Sequence, residues 1–121
     1  MIASLLRKII PDRFRPVGYL THLTQERTGR QVRSGFFVGM RYGSNSVGSA
    51  YLPKLLGIYE RELAAQMEGI CASRPGLIVD VGAAEGYYAI GLARRNPQAH
   101  IVAFEMEPHG QSALREMAGF E

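Results

Sequence analysis

The sequence predicts an α/β fold built around a parallel sheet, and one central stretch of the chain carries the observations that predict it. Residues 77–81 (LIVDV) form a short, mostly β-branched apolar run, typical of a buried strand. Residues 82–95 combine a glycine turn with a helical pattern, and Pro97 ends that helix. A second apolar run, residues 101–104, ends at Glu105. The order strand, turn, helix, strand and acid predicts a βαβ unit of a nucleotide-binding fold.

The turn and the acid have the residue types that an adenosine-containing cofactor needs. Gly82 and Gly86 allow a sharp bend and let the backbone pass close to a ligand. The helix that follows starts with free N–H groups facing whatever is bound. Glu105 lies 23 positions beyond Gly82, close to the spacing of about 20 expected for an acid that accepts hydrogen bonds from ribose hydroxyls.

The turn also departs from the G-x-G-x-x-G fingerprint of dinucleotide sites, since Ala84 stands where a middle glycine is usual. Glu85 adds a negative charge, which would repel a pyrophosphate. S-adenosylmethionine carries no phosphate and has a cationic sulfur, so these residues favour it over a dinucleotide. Half of an NAD(P)-dependent oxidoreductase is the alternative, and a non-enzymatic fragment or interaction module is a third interpretation.

Residues 80–93 resemble the first motif of class I S-adenosylmethionine-dependent methyltransferases, and most of all the FkbM-like branch. Residues 103–105 resemble the second motif, in which the acid holds the ribose, and residues 56–63 resemble the lead-in of bacterial members. The resemblance implies a Rossmann-like methyltransferase fold with S-adenosylmethionine as the cofactor. It further implies methyl transfer to an oxygen of an acceptor that it does not identify.

The residues expected at the cofactor lie in the turn and at the two strand ends: Asp80, Gly82, Ala83, Ala84, Glu85, Gly86, Tyr87, Glu105 and Met106. Asp80 is expected to orient the turn, and the resemblance implies that Met106 touches the adenine. No catalytic residue is assigned. His100 precedes the second strand at the end opposite the crevice, His109 is nearer the site but expected in solvent, and the region of His22 has no informative pattern. No His-x-Cys, Cys-x-x-Cys or His-Glu pair has the spacing of a metal site.

The chain has 121 residues, and a complete sheet of the resembled family has more strands than the two found here. We therefore expect the amino-terminal part of a longer enzyme, truncated after the second strand and the following helix and inactive alone. Residues 1–51 are expected to be an N-terminal helical and hairpin extension, and residues 52–121 the first half of the cofactor-binding domain.

Within the extension, residues 1–10 have the apolar stripe of a short amphipathic helix. Residues 19–24 and 31–33 are candidate short strands, and residues 36–42 have strand composition and should close a small hairpin, followed by a polar loop.

Residues 53–70 have apolar side chains at three- and four-residue steps, so they predict one helix that covers the sheet. The resemblance implies that this helix packs beside the cofactor, where Tyr59 or Glu60 could reach it. The favoured expectation is Tyr59 in the core and Glu60 in solvent.

Composition limits the partners. Residues 1–41 carry eight basic and two acidic side chains, but they lack the aromatic interleaving of RNA-binding motifs, so a nucleic-acid partner is not expected. The sequence lacks a membrane-spanning run or a secretory signal, and Cys71 is its single cysteine, so we expect a cytoplasmic protein without a membrane partner. An unpaired edge of the first strand could support self-association.

Overall fold

A two-stranded parallel sheet and the helix that connects its strands form the centre of the chain. In a computed structural model, residues 16–44, 46–47 and 51–120 are described. In chain order the elements are α1 (Pro16–Thr28), α2 (Tyr51–Leu56), a short 3₁₀ helix (Arg61–Leu63), α3 (Ala64–Ala72), β1 (Leu77–Val81), α4 (Tyr87–Arg95), β2 (His100–Phe104) and α5 (Pro108–Ala118). Among these helices, none is both long and apolar enough to cross a membrane.

The predicted βαβ unit is confirmed. β1 pairs with β2 in parallel, in a register that sets Leu77 beside His100 and Val81 beside Phe104. α4 connects the two strands and packs on one face of the sheet. The carboxyl ends of both strands therefore meet at one edge, next to the turn that precedes α4.

The ends of the two helices after β1 also match their predicted positions. α4 begins after Gly86, whose φ of 91° only glycine adopts readily, and ends at Arg95 before Asn96-Pro97. α5 has Pro108 in its first turn and ends before Gly119. Local capping and breaking residues set these boundaries.

The single helix predicted for residues 53–70 is wrong. The chain forms α2, a bend, the 3₁₀ helix and α3 instead. The bend is at Gly57, which has a φ of 76° and lies so close to the backbone that a Cβ there would be 1.7 Å from the Ser34 carbonyl oxygen. Backbone bonds from Ile58 and Tyr59 to the Pro53 carbonyl close the turn. Contact with a distant segment, rather than helical periodicity, decides the conformation here.

The strand suggested for residues 19–24 is also wrong, because this stretch lies inside α1. The hydroxyls of Thr21 and Thr24 donate to the carbonyls of Val17 and Leu20, four residues earlier, at 2.8 and 2.7 Å. Such bonds let β-branched threonines sit in a helix.

The predicted hairpin is present only as a tight loop. Gln31 and Arg41 form one isolated antiparallel bridge, and the Val32 amide donates to the Met40 carbonyl at 2.9 Å. The residues between them turn rather than extend, and apart from this bridge no strand forms, so the strands predicted over 31–33 and 36–42 are wrong. The amphipathic helix predicted for residues 1–10 lies outside the described residues.

One core joins the N-terminal loop to the βαβ unit. Its buried side chains come from both sides of the domain boundary predicted at residue 51: Val32, Phe37, Met40, Tyr42, Leu55, Tyr87, Leu92 and Met117. By contrast, Leu77, Val79 and Val81 leave one face of β1 exposed. The core therefore lies on the α4 side of the sheet.

Two helical glycines test this packing. A Cβ at Gly91 in α4 would lie 2.4 Å from the Phe37 ring, whereas one at Gly69 in α3 would meet nothing within 4 Å. We expect Gly91→Ala to lower the free energy of unfolding by about 1–3 kcal/mol through overpacking. The matched Gly69→Ala should raise it by about 0.5–1 kcal/mol. Urea unfolding followed by circular dichroism measures both, and equal effects of the two changes would contradict the position of Phe37.

Candidate functional site

An open crevice lies at the carboxyl ends of the two strands, where the glycine turn and Glu105 meet. It has a volume of about 430 Å³ and is lined by Val81, Gly82, Phe104, Glu105 and Met106. Its apolar side chains are strongly exposed, with Met106 at 86% and Val81 at 79%. Gly82 has a φ of 80° and open space where a Cβ would project. A flat, partly apolar ligand could therefore lie against the ends of the strands.

Glu105 connects the glycine turn to the start of α5. Its Oε2 accepts a hydrogen bond from the Ala84 amide and its Oε1 one from the Glu107 amide, both at 2.7 Å. These backbone N–H groups, Glu107 first and Ala84 second, hold the pKa of the Glu105 carboxyl below its ordinary value. Glu105 is therefore an ionised acceptor at the crevice over the whole neutral range.

The backbone amides of the turn already have acceptors within the chain. Gly82 and Ala83 both donate to the Phe104 carbonyl, at 2.9 and 3.0 Å, and Gly86 donates to the Ala83 carbonyl at 2.7 Å. Ala84 donates to Glu105. A pyrophosphate bound at a glycine turn needs such amides free, so this turn is poorly suited to one.

Asp80 is the second-last residue of β1 and lies near the amino end of α4, and it does not line the crevice. Burial raises the pKa of its carboxyl, and a hydrogen bond from the Ala89 amide opposes that rise. Its Oδ2 is buried and has no hydrogen-bond partner among the described residues. An unsatisfied carboxylate oxygen is costly to bury, so ionised Asp80 lowers the stability of the fold.

Glu85 does not face the crevice, because its side chain is 0% exposed and points into the core. Its carboxylate accepts from the Lys54 ammonium and the Tyr42 hydroxyl, and from the Val47 amide at 3.0 Å. Burial would raise the pKa of this carboxyl, but the bonds from Lys54, Tyr42 and Val47 outweigh burial and lower it. The charge of Glu85 is therefore neutralised internally, and it cannot discriminate between cofactors as the sequence suggested.

Lys54 reaches this carboxylate from α2 and is itself only 4% exposed. Its ammonium lies 4.9 Å from the centre of the Tyr59 ring and 5.5 Å from that of Tyr87. Aromatic faces add to the stabilisation of a desolvated cation. Burial, with the bond to Glu85 second, raises the pKa of Tyr42 far above its ordinary value, so its phenol remains a donor.

The predicted site residues thus separate into two groups. Gly82, Glu105 and Met106 line the crevice, and Ala84 is bonded to Glu105. The remaining turn side chains are buried on the core side: Ala83, Glu85 and Tyr87, with Gly86 packed against Leu114.

Two residues that line the crevice, Val81 and Phe104, were not among the predicted site residues. Their signal was available, since each is the last residue of its strand.

No group of His, Cys, Asp and Glu among the described residues could hold a metal ion. No protein-family model, curated protein or solved structure matches the chain.

Removing one partner of the buried ion pair should strongly destabilise the fold. We expect Lys54→Met to lower the free energy of unfolding by about 3–5 kcal/mol, because it leaves the Glu85 charge buried without its counter-charge. The double variant Lys54→Met with Glu85→Gln should recover part of this loss, since the amide is neutral. Urea unfolding of both variants at neutral pH measures the difference. A double variant that is no more stable than Lys54→Met would contradict the pairing.

The same variants should differ in pH dependence. In the wild-type chain the Glu85 pKa is lowered, so its contribution to stability is complete above the ordinary carboxyl pKa and is lost as pH falls through the lowered value. In Lys54→Met only the bonds from Tyr42 and Val47 oppose burial, so we expect that pKa to rise above its ordinary value and stability to fall as pH rises through it. Unfolding curves at about pH 5 and about pH 8 distinguish the two slopes.

Proposed function

We propose that this chain is the S-adenosylmethionine-binding part of a methyltransferase that transfers a methyl group to an oxygen of its acceptor. The observation that carries the proposal is the position of Glu105, which meets the glycine turn at the ends of two parallel strands. An acid at that position accepts hydrogen bonds from ribose hydroxyls in nucleotide-binding α/β proteins. The resemblance of residues 80–93 and 103–105 to the two motifs of class I methyltransferases supports S-adenosylmethionine as the cofactor and methyl transfer as the reaction.

The contacts in the crevice fit an adenosine better than a dinucleotide. Val81, Phe104 and Met106 offer apolar surface beside Glu105 for a base. The amides of Gly82, Ala83, Ala84 and Gly86 are committed to internal acceptors, which leaves no cradle for a pyrophosphate at these positions. The bonds of these amides, and not the charge of Glu85, therefore favour S-adenosylmethionine.

The residues of this chain would bind and orient the cofactor. Glu105 would hold the ribose, and the carboxylate of Asp80, near the end of β1, would favour the cationic methionine portion through its charge. When bound, S-adenosylmethionine supplies a methyl group on a positively charged sulfur, which a correctly positioned nucleophile can displace. We assign no catalytic base to the described residues.

Binding of S-adenosylhomocysteine should depend on Glu105. We expect calorimetric titration of the 121-residue chain to show binding of S-adenosylhomocysteine and none of NAD. Glu105→Gln should weaken it by about tenfold or more, since a hydrogen bond to a charged group contributes roughly 1.5–3 kcal/mol. Glu107→Gln is the matched control, because it removes a neighbouring exposed carboxylate whose side chain does not line the crevice.

Three results of this titration would count against the proposal. Binding of NAD alone would favour an oxidoreductase, and binding of neither compound a non-enzymatic fragment. Equal losses in the two variants would remove the specific role of Glu105. Thermal unfolding of each variant shows whether a loss of binding merely reflects a loss of fold.

Asp80→Asn should separate stability from binding. Because burial raises the Asp80 pKa, the ionised carboxylate lowers stability as pH rises through that value. The asparagine variant does not titrate, so we expect its melting temperature at neutral pH to equal or exceed that of the wild-type chain. Its affinity for S-adenosylhomocysteine should nevertheless fall. A lower melting temperature with unchanged affinity would assign Asp80 to structure alone.

A further inference from the structure

A second cavity, of about 220 Å³, lies between the N-terminal loop, the bend after α2 and the start of α4. Its size is below the range of about 300–1,000 Å³ typical of drug-sized ligands, so its occupant must be small. Five aromatic side chains line it: Phe36, Phe37, Tyr59, Tyr87 and Tyr88. This cavity and the crevice share no lining residue, so the two can be tested separately.

The aromatic walls enclose one carboxylate, that of Glu60. Glu60 is half-buried and accepts a hydrogen bond from the Tyr88 hydroxyl. Burial, with the bond to Glu60 second, raises the pKa of Tyr88 far above its ordinary value, which keeps this phenol a donor. No cation among the described residues lies within ion-pair distance of Glu60. The expectation that Glu60 would be a solvent-exposed residue is wrong, because it is partly enclosed beside α4.

The backbone at Glu60 is held in an uncommon conformation. Its φ is 46° in the left-handed region, which disfavours side chains other than glycine by about 1–2 kcal/mol. The 3₁₀ helix that follows and the bond to Tyr88 fix this conformation and aim the carboxylate at the rings. Strain of this kind often accompanies functional positions.

The walls of this cavity already attract cations from within the chain. The Lys54 ammonium lies 4.9 Å from the centre of the Tyr59 ring, and the Arg95 guanidinium lies 4.1 Å from that of Phe36. The Lys54 charge is balanced by Glu85. The Glu60 carboxylate is not balanced in this way by a described residue. Aromatic rings bind alkylated ammonium ions by cation–π contacts, and a carboxylate beside the rings adds an opposite charge.

We propose that the cavity around Glu60 binds a small organic ammonium ion, with the Glu60 carboxylate as counter-charge and the ring faces as walls. Arg61 also lines the cavity, but its side chain is exposed and lies at the rim. The ligand is thereby limited to a cation small enough for about 220 Å³, whether free or as the ammonium group of a larger compound.

Choline and its neutral isostere 3,3-dimethylbutan-1-ol test the proposal, because they differ in charge and hardly in shape. We expect nuclear magnetic resonance titration of the 121-residue chain to show saturable shifts of the Phe36 and Tyr88 ring signals with choline only. Glu60→Gln should weaken choline binding by about tenfold or more, as expected when a charged partner is removed. Glu62→Gln should leave it unchanged, since Glu62 is exposed two residues away and does not line the cavity.

Equal binding of the neutral isostere would overturn the proposal, and so would absence of choline binding or equal weakening by the two variants. The comparison of the two ligands needs only the wild-type chain, so it stands even if Glu60→Gln does not fold. Repeating the choline titration in the presence of S-adenosylhomocysteine should give the same ring shifts, because the two sites have different lining residues. Loss of those shifts would assign the cavity to the cofactor instead.

Discussion

The fold depends on satisfying one carboxylate that is removed from solvent. Glu85 lies at the inner side of the glycine turn with no exposed surface, and a charge so placed is tolerated only with a partner and further hydrogen bonds. Lys54 supplies the charge from α2, and Tyr42 and Val47 supply donors from the N-terminal segment. These contacts fasten the segment before residue 51 to the βαβ unit, so the turn takes its shape only when both are folded together.

A second carboxylate holds the turn from the other side. Glu105 binds the Ala84 amide on the crevice side, while the side chain of the next residue, Glu85, is bound in the core. Consecutive residues of the turn are thus fixed by two acids in opposite directions, one for each side of the backbone. Such support from packing and hydrogen bonds is what a preformed ligand site requires.

The sequence predicts well what is decided locally and poorly what is decided by distant partners. β1, α4, β2 and α5 follow from apolar runs, a glycine, and prolines that lie within the elements or directly beside them. The bend at Gly57 could not be predicted, because it depends on the backbone of Ser34, 23 positions earlier. The orientation of Glu85 was missed for the same reason, since Lys54 lies 31 positions away and no local pattern connects them. Of the crevice, the glycine and the acid were predictable from motif spacing, whereas the apolar strand ends became visible only once the register was known.

The backbone at Ala84 has a consequence for how such turns drift during evolution. Its φ of 50° is one that glycine adopts freely and alanine only with a penalty of about 1–2 kcal/mol. Replacement of alanine by glycine here would therefore be favoured by the main chain, and it would make the motif read more like that of a dinucleotide-binding protein. The acceptors of the neighbouring amides would not change. In descendants of such a sequence, the residue at the middle position of the glycine motif can change without a change of the preferred cofactor. The number of turn amides without an internal acceptor is therefore the safer guide to the ligand.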